Sequence, residues 1–278
     1  MGNGGREIRN MKKRESKIIL SILNLIFFLG TVIVNGLATT LPINNKTTGE
    51  LSDQYPNLFV PAGLTFSIWG LIYILLGIFV IYHLVLVIRK DEEGLAPFRK
   101  IGFLFIISSI LNIGWIFAWQ YEIVPLSLVL MLLLLGCLLT IYLRLGIGKK
   151  SPTRKEQYLV HLPFSIYLGW ISVATIANVT ALLVNYGWNR FGLGEQFWAV
   201  TVIVVAIGIA LSTLIRRQDI FYCLVVDWAL LGIWLKRQAD SIPVQSVVLI
   251  SIIGLAVITI GIIIQLVRKK VYAAAVSN

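Results

Sequence analysis

Residues 61–77 read PAGLTFSIWGLIYILLG, a stretch that suits hydrocarbon yet is interrupted by a proline, several glycines, a tryptophan and a tyrosine. Its continuation to residue 88 carries no Lys, Arg, Asp or Glu. A helix needs about 20 apolar residues to cross a bilayer core. Seven further apolar blocks are present, at roughly residues 17–41, 101–119, 124–144, 159–184, 197–215, 220–235 and 246–267. They are greasy on every face, so length rather than periodicity identifies the element. Only helices and closed barrels satisfy their backbone in lipid, and no alternating strand pattern appears. The sequence predicts an all-α, polytopic transmembrane helical bundle of eight spans.

Composition agrees, since 58% of the 278 residues are hydrophobic and 13% are charged. This excludes a water-soluble globular domain. The net charge of +11 could suggest nucleic acid, but the placement of the charge argues for a membrane instead. Threading eight spans puts 20 of the 24 Lys and Arg on the side of the N-terminus, leaving Lys46, Arg190, Lys236 and Arg237 opposite. Basic residues collect on the cytoplasmic side of membrane helices. Both termini are therefore expected in the cytoplasm, with lipid headgroups rather than nucleic acid as partner. A bacterial plasma membrane fits this pattern. The first hydrophobic run is too long for a signal peptide and ends LATTLPINN without a small-x-small site, so it is read as an uncleaved helix. MGNGGR has Arg where a myristoylation signal needs Ser or Thr.

Two connections are long. Residues 42–60 form an external loop with enough apolar side chains to fold back on the bundle, and residues 145–158 form a basic cytoplasmic loop. The Asn45 sequon matters only in a eukaryotic source. No internal repeat or half-to-half symmetry is visible. The chain lacks a P-loop, a Rossmann fingerprint, HExxH and GxSxG. No catalytic residue and no metal site is assigned, and an enzyme ranks below a binder. Cys137 and Cys223 lie in spans without a CxxC and read as packing residues. His83 and His161 fall near span ends and are expected at the interface. Gly70, Gly77, Gly114 and Gly169 admit close helix contact within one chain or across a homodimer.

Three spans carry polar and aromatic stripes. Trp69, Tyr73 and Gly77 recur every fourth residue and share one face. In LNIGWIFAW, Asn112, Trp115 and Trp119 stand at i, i+3 and i+7. In GWISVATIAN, Trp170, Ala174 and Asn178 stand at i, i+4 and i+8. An amide in hydrocarbon needs a partner, so Asn112 and Asn178 should face the interior and bring their tryptophans with them. Trp188 and Trp198, near span ends, fit the membrane interface instead. Indoles, small residues and amides around one interior suit a large, flat, mostly apolar ligand as well as plain packing.

From about residue 17 to 186 the chain resembles the tryptophan-rich sensory protein/translocator protein family, TspO/MBR. The resemblance rests on Pro61, Trp69, Tyr73 and Gly77, on Leu111, Asn112 and Trp115, and on Trp170, Ala174 and Asn178. It implies a five-helix core, residues 17–186, between a basic cytoplasmic tail at 1–16 and three additional transmembrane helices at 187–268. A cytoplasmic tail at 269–278 ends the chain. It also implies a porphyrin or related tetrapyrrole as ligand, or a sterol, with no obligatory cofactor and the 42–60 loop as a lid. Trp69, Tyr73, Asn112, Trp115, Trp119, Trp170, Ala174 and Asn178 would line the cavity of a sensor, receptor or translocator. Two departures stand out: Gly63 occupies the position of a frequent family tryptophan, and SLVLMLLLL lacks an acidic residue often found in the fourth helix. Asp227 is the one acidic residue well inside a span, which reads as a proton or ion site, an anchor, or a neutral hydrogen-bonded carboxyl. It leaves an ion-coupled transporter as one alternative. Light-dependent tetrapyrrole breakdown, which the resemblance suggests, is another.

Overall fold

A computed structural model describes residues 3–41, 43–149 and 151–276, with side chains described from residue 15 to 268 within those ranges. The basic side chains of the two tails lie outside the described residues. The described chain is helical throughout, with no strand. Its elements are α1 (Asn3–Thr40), α2 (Thr48–Asp53), α3 (Ile68–Arg89), α4 (Ala96–Ile101), α5 (Leu104–Gln120) and α6 (Val124–Leu145). After these come α7 (Arg154–Glu156), α8 (Leu162–Asn185), α9 (Glu195–Arg217), α10 (Ile220–Gln238) and α11 (Gln245–Val276). Eight of these helices coincide with the eight apolar blocks. Among the described residues, 6 helices are long and apolar enough to cross a membrane. Leu104–Gln120 is a shorter apolar helix, and α10 carries Asp227, Lys236 and Arg237 and is not among the six.

Two starts differ from the sequence reading. The second long helix begins at Ile68, because Gly63–Ser67 winds as a 3₁₀ turn after Pro61. Trp69 therefore sits in the first turn of α3. The basic loop before α8 ends early: Thr153 caps α7 by accepting from the backbone N–H of Glu156, and a π-helical turn, Gln157–His161, carries the helix into α8.

Five helices close a ring. α1 packs on α3 and α5, α5 on α6, α6 on α8, and α8 returns to α3. α9, α10 and α11 pack on one another, and α10 joins them to the ring through α8. Small residues allow this joint. A Cβ on Gly169 would stand 3.0 Å from Val225 and 3.2 Å from the Tyr222 carbonyl oxygen. Within the ring, Gly77 admits the Phe28 ring and Gly114 faces Leu130, so both serve contacts within the chain. Gly148, with φ +77°, tucks under the end of α9, where a Cβ would be 1.7 Å from the Arg217 carbonyl oxygen. Close by, the Tyr142 hydroxyl donates to Asp219 at 2.9 Å, and Asp219 caps α10 by accepting from the N–H groups of Phe221 and Tyr222. Both cysteines are buried and free. Their thiols donate to the carbonyls of Leu104 and Ala210.

One face of α10, at i, i+4 and i+8, grips the segment that leads into α3 and the end of α2. Trp228 Nε1 donates to the Thr65 carbonyl at 2.9 Å, the Ala62 N–H donates to the Gly232 carbonyl at 3.0 Å, and Lys236 pairs with Asp53. Gly232 is the tightest point: a Cβ there would lie 1.9 Å from Thr65 Oγ1 and 3.0 Å from Pro61 Cβ. Replacing Gly232 by Leu is expected to cost about 1–3 kcal/mol through overpacking, read as a lower unfolding temperature in detergent. Gly70→Ala is expected at or above wild type in the same assay, because nothing lies within 4 Å of that site.

Candidate ligand site

The ring's interior is polar where the helices meet and aromatic above. On α1 the buried positions Ser21, Asn24, Thr31, Asn35 and Ala38 form one inward stripe. Asn35 Nδ2 donates to Asn112 Oδ1 at 2.7 Å, and Asn112 Nδ2 donates to the Tyr167 hydroxyl at 3.2 Å. This chain crosses from α1 through α5 to α8. A second one runs beside it: Trp115 Nε1 donates to Asn178 Oδ1 at 3.3 Å, and Asn178 Nδ2 donates to Ser127 Oγ at 3.0 Å. Asn112 and Asn178 are buried, as their amides require.

Four rings meet around Trp69. Its indole is stacked with Tyr73 at 5.6 Å and with Trp115 at 6.0 Å, and it meets Tyr167 and Trp170 edge-on at 6.1 and 6.2 Å. Offset stacking and edge contact are the favoured arrangements of aromatic quadrupoles. Trp115 stacks in turn on Trp119 at 6.2 Å. A cavity of about 40 Å³ remains beside these rings, lined by Trp69, Trp115, Trp119, Trp170, Ala174 and Asn178, together with Phe66 and residues of the covering segment. Tyr73 and Asn112 do not line it. Tyr73 backs Trp69 instead, with its buried hydroxyl lacking a hydrogen-bond partner, as does the buried Trp170 Nε1.

The covering segment descends from the 42–60 loop. Thr47 opens α2 with a capping box: its hydroxyl accepts from the Glu50 N–H, and its own N–H donates to the Glu50 carboxylate. That backbone bond, then the hydroxyl, holds the Glu50 carboxyl below its ordinary range, so the box persists at neutral pH and is lost as acid protonates Glu50. Trp119 Nε1 donates to the Thr48 carbonyl at 3.3 Å, and Asn44 Nδ2 donates to the Gln120 carbonyl at 3.0 Å. Lys46 pairs with Glu122 at 2.9 Å. Gln120, wholly buried, lies within reach of the Ile43 and Lys46 carbonyls and of Thr48 Oγ1. Thr48, Ser52 and Pro61 complete the cavity wall.

Other sequence-derived candidates fall elsewhere. Gly63 is exposed with nothing near its Cβ direction, and the aromatic on this wall is Phe66, edge-on to Trp170 at 5.9 Å. The histidines are buried rather than interfacial: His83 stacks on Phe98 at 4.2 Å and lies 3.2 Å from the Asn24 amide, while His161 faces Glu156. Asp227 is buried, with Oδ2 accepting from Thr259 Oγ1 at 3.0 Å and Oδ1 unpartnered, on the side of α10 toward α11. Among the described residues no cluster of His, Cys, Asp or Glu could hold a metal. The α1 stripe and Tyr167 escaped sequence reading, although Asn24, Thr31 and Asn35 at spacings of seven and four carried a signal.

Fold and interior together define a polytopic α-helical membrane protein whose bundle encloses an aromatic and amide-lined core. The chain belongs to the TSPO-like protein family, whose profile matches residues 21–264. The match covers α9 and α10 and reaches into α11. No match to a curated protein or to a solved structure was found.

Substituting Asn112 by Leu leaves the Tyr167 hydroxyl and the Asn35 amide each short of a partner. The expected loss is on the order of 1–3 kcal/mol. Because both members belong to one chain of bonds, the Asn35→Leu/Asn112→Leu double variant should lose less than the sum of the singles in thermal unfolding.

Proposed function

We propose that this protein binds a flat, mostly apolar ligand of the porphyrin or tetrapyrrole class, with sterols the next candidate, between the indoles of α3, α5 and α8. It would act as a membrane sensor, receptor or translocator. The carrying observation is the convergence of Trp69, Trp115 and Trp170 on one interior, beside an amide network and beneath a folded-back segment. Family membership supports the same reading. The skewed distribution of Lys and Arg supports cytoplasmic termini.

Pockets for ligands of this size occupy about 300–1,000 Å³, far more than the 40 Å³ between the rings. Binding therefore exchanges ring–ring contacts for ligand–ring contacts and lifts the covering segment. That segment is held by hydrogen bonds and an exposed ion pair to α5 and also by core packing of Leu51, Tyr55 and Phe59, so lifting it exchanges buried contacts of the cover as well. Tyr73 and Asn112, one turn below the cavity, become lining residues once Trp69 moves. Titration of the purified protein with protoporphyrin IX is expected to quench tryptophan fluorescence saturably. A Trp115→Leu/Trp170→Leu variant should weaken the apparent affinity by about tenfold or more, as loss of one or two aromatic contacts implies. Absence of quenching, or quenching unaltered in the variant, defeats the reading.

A second reading, proton- or ion-coupled transport of a small hydrophobic molecule, is favoured by the unpartnered oxygen of Asp227. An ionisable group at that depth is costly unless neutral, paired or wet. In proteoliposomes, ligand-dependent proton movement should occur in wild type and vanish in Asp227→Asn. Identical behaviour of the two proteins assigns Asp227 to packing.

A further inference from the structure

A second apolar cavity, larger than the aromatic one, opens elsewhere in the bundle. A groove of about 430 Å³ runs between α8 and α9, on the flank of α8 turned away from the indole cluster. Its walls are Ile176, Val179, Leu183, Ala199 and Val202, with Leu58 and Phe59 of the covering segment at one side. α10 packs on both α8 and α9 and keeps the two apart. Such a volume falls in the range of sites that hold small molecules or cofactors.

The mouth of the groove is built differently from its walls. Trp188 and Trp198 stand there with ring centroids 5.0 Å apart, at the ends of α8 and α9 where the chain leaves the apolar zone. Tryptophans at that level mark the headgroup layer. Between them the chain makes a tight turn, with Arg190 and Phe191 both at positive φ. Asn189 accepts from the Phe191 N–H, and Trp198 Nε1 donates to the Arg190 carbonyl at 2.9 Å. This turn sets the Arg190 guanidinium 3.8 Å from the Glu195 carboxylate, with both side chains open to the surroundings. The pair is too long for a hydrogen bond. The guanidinium is free to donate a better one and the carboxylate to accept one.

We propose that this groove is a lipid site selective for a zwitterionic phospholipid, one acyl chain lying between α8 and α9. The phosphate engages Arg190, and the headgroup ammonium engages Glu195 and the adjacent indole faces. A dipolar headgroup matches both charges of the pair. An anionic phospholipid or a fatty acid satisfies Arg190 but meets the Glu195 carboxylate with like charge, which is the kind of mismatch that sets specificity. Cation–π attraction from Trp188 and Trp198 acts in the same direction. The groove shares no lining residue with the indole cavity, although both abut the covering segment.

The full-length protein in detergent, offered equimolar phosphatidylethanolamine, phosphatidylglycerol and oleic acid, is read by native mass spectrometry for retained lipid. One phosphatidylethanolamine should be kept about tenfold more strongly than either competitor. Val202→Trp, which fills the groove, should lower that retention by about tenfold and leave protoporphyrin quenching unchanged. Glu195→Gln, at the surface, should bring phosphatidylglycerol up to the level of phosphatidylethanolamine. Equal retention of the three by wild type overturns the proposal, as does retention untouched by Val202→Trp in a protein that elutes as wild type on size exclusion. Selectivity unaltered in Glu195→Gln overturns it too, and decides the matter if Val202→Trp fails to fold. Loss of porphyrin binding in Val202→Trp would show that groove and indole cavity are one site, also against the proposal.

Discussion

An amide buried in hydrocarbon must find a partner, and the assembly of this bundle follows from how Asn112 finds two. Between helices in a bilayer there is little hydrophobic driving force, since lipid tails are as apolar as the side chains. Packing and interhelical hydrogen bonds then choose the neighbours. Asn112 accepts from Asn35 and donates to Tyr167, which fixes α1, α5 and α8 about one point. Asn178, bonded to Trp115 and Ser127, ties α5, α6 and α8 a few turns away. These bonds set the rotation of each helix. Rotation in turn decides which indoles face inward.

The aromatic cluster is a consequence of those rotations. With α3 held against α8, Trp69 reaches Trp115 and Trp170 together, and the rings fill nearly all the space they enclose. The result is a nearly filled interior beneath a cover that is both hydrogen-bonded and packed. α10 adds a restraint from outside the ring. Its Trp228 and Gly232 hold residues 62–65 and its Lys236 holds Asp53 at the end of α2, so α10 braces the wall formed by Pro61 and Phe66. This gives a physical reason for the family match to continue through this helix.

Much of the cavity lining was legible because helical spacing is rigid. Residues three, four, seven or eight apart on an α-helix share a face whatever surrounds them, and a buried asparagine tells which face is inside. That logic brought Trp69, Trp115, Trp119, Trp170, Ala174 and Asn178 to one cavity. It could not tell lining from backing, so Tyr73 and Asn112 fell behind the first layer. Gly63 shows a different limit. The resemblance aligned it with a family tryptophan, but residues 63–67 wind as a 3₁₀ turn that leaves Gly63 exposed, and Phe66 stands on the wall instead.

The sequence by itself determined the class of this protein, because only helices satisfy a backbone across such long apolar runs. It also determined the interior stripes, because their period is a property of the single helix. Tertiary structure decided how much room the stripes leave, the burial of both histidines and the α10 contact with residues 61–65. It also decided the groove beside α8. Each of these depends on distances between segments far apart in the chain, set by small residues such as Gly169 and Gly232 whose effect appears only when a second helix comes close.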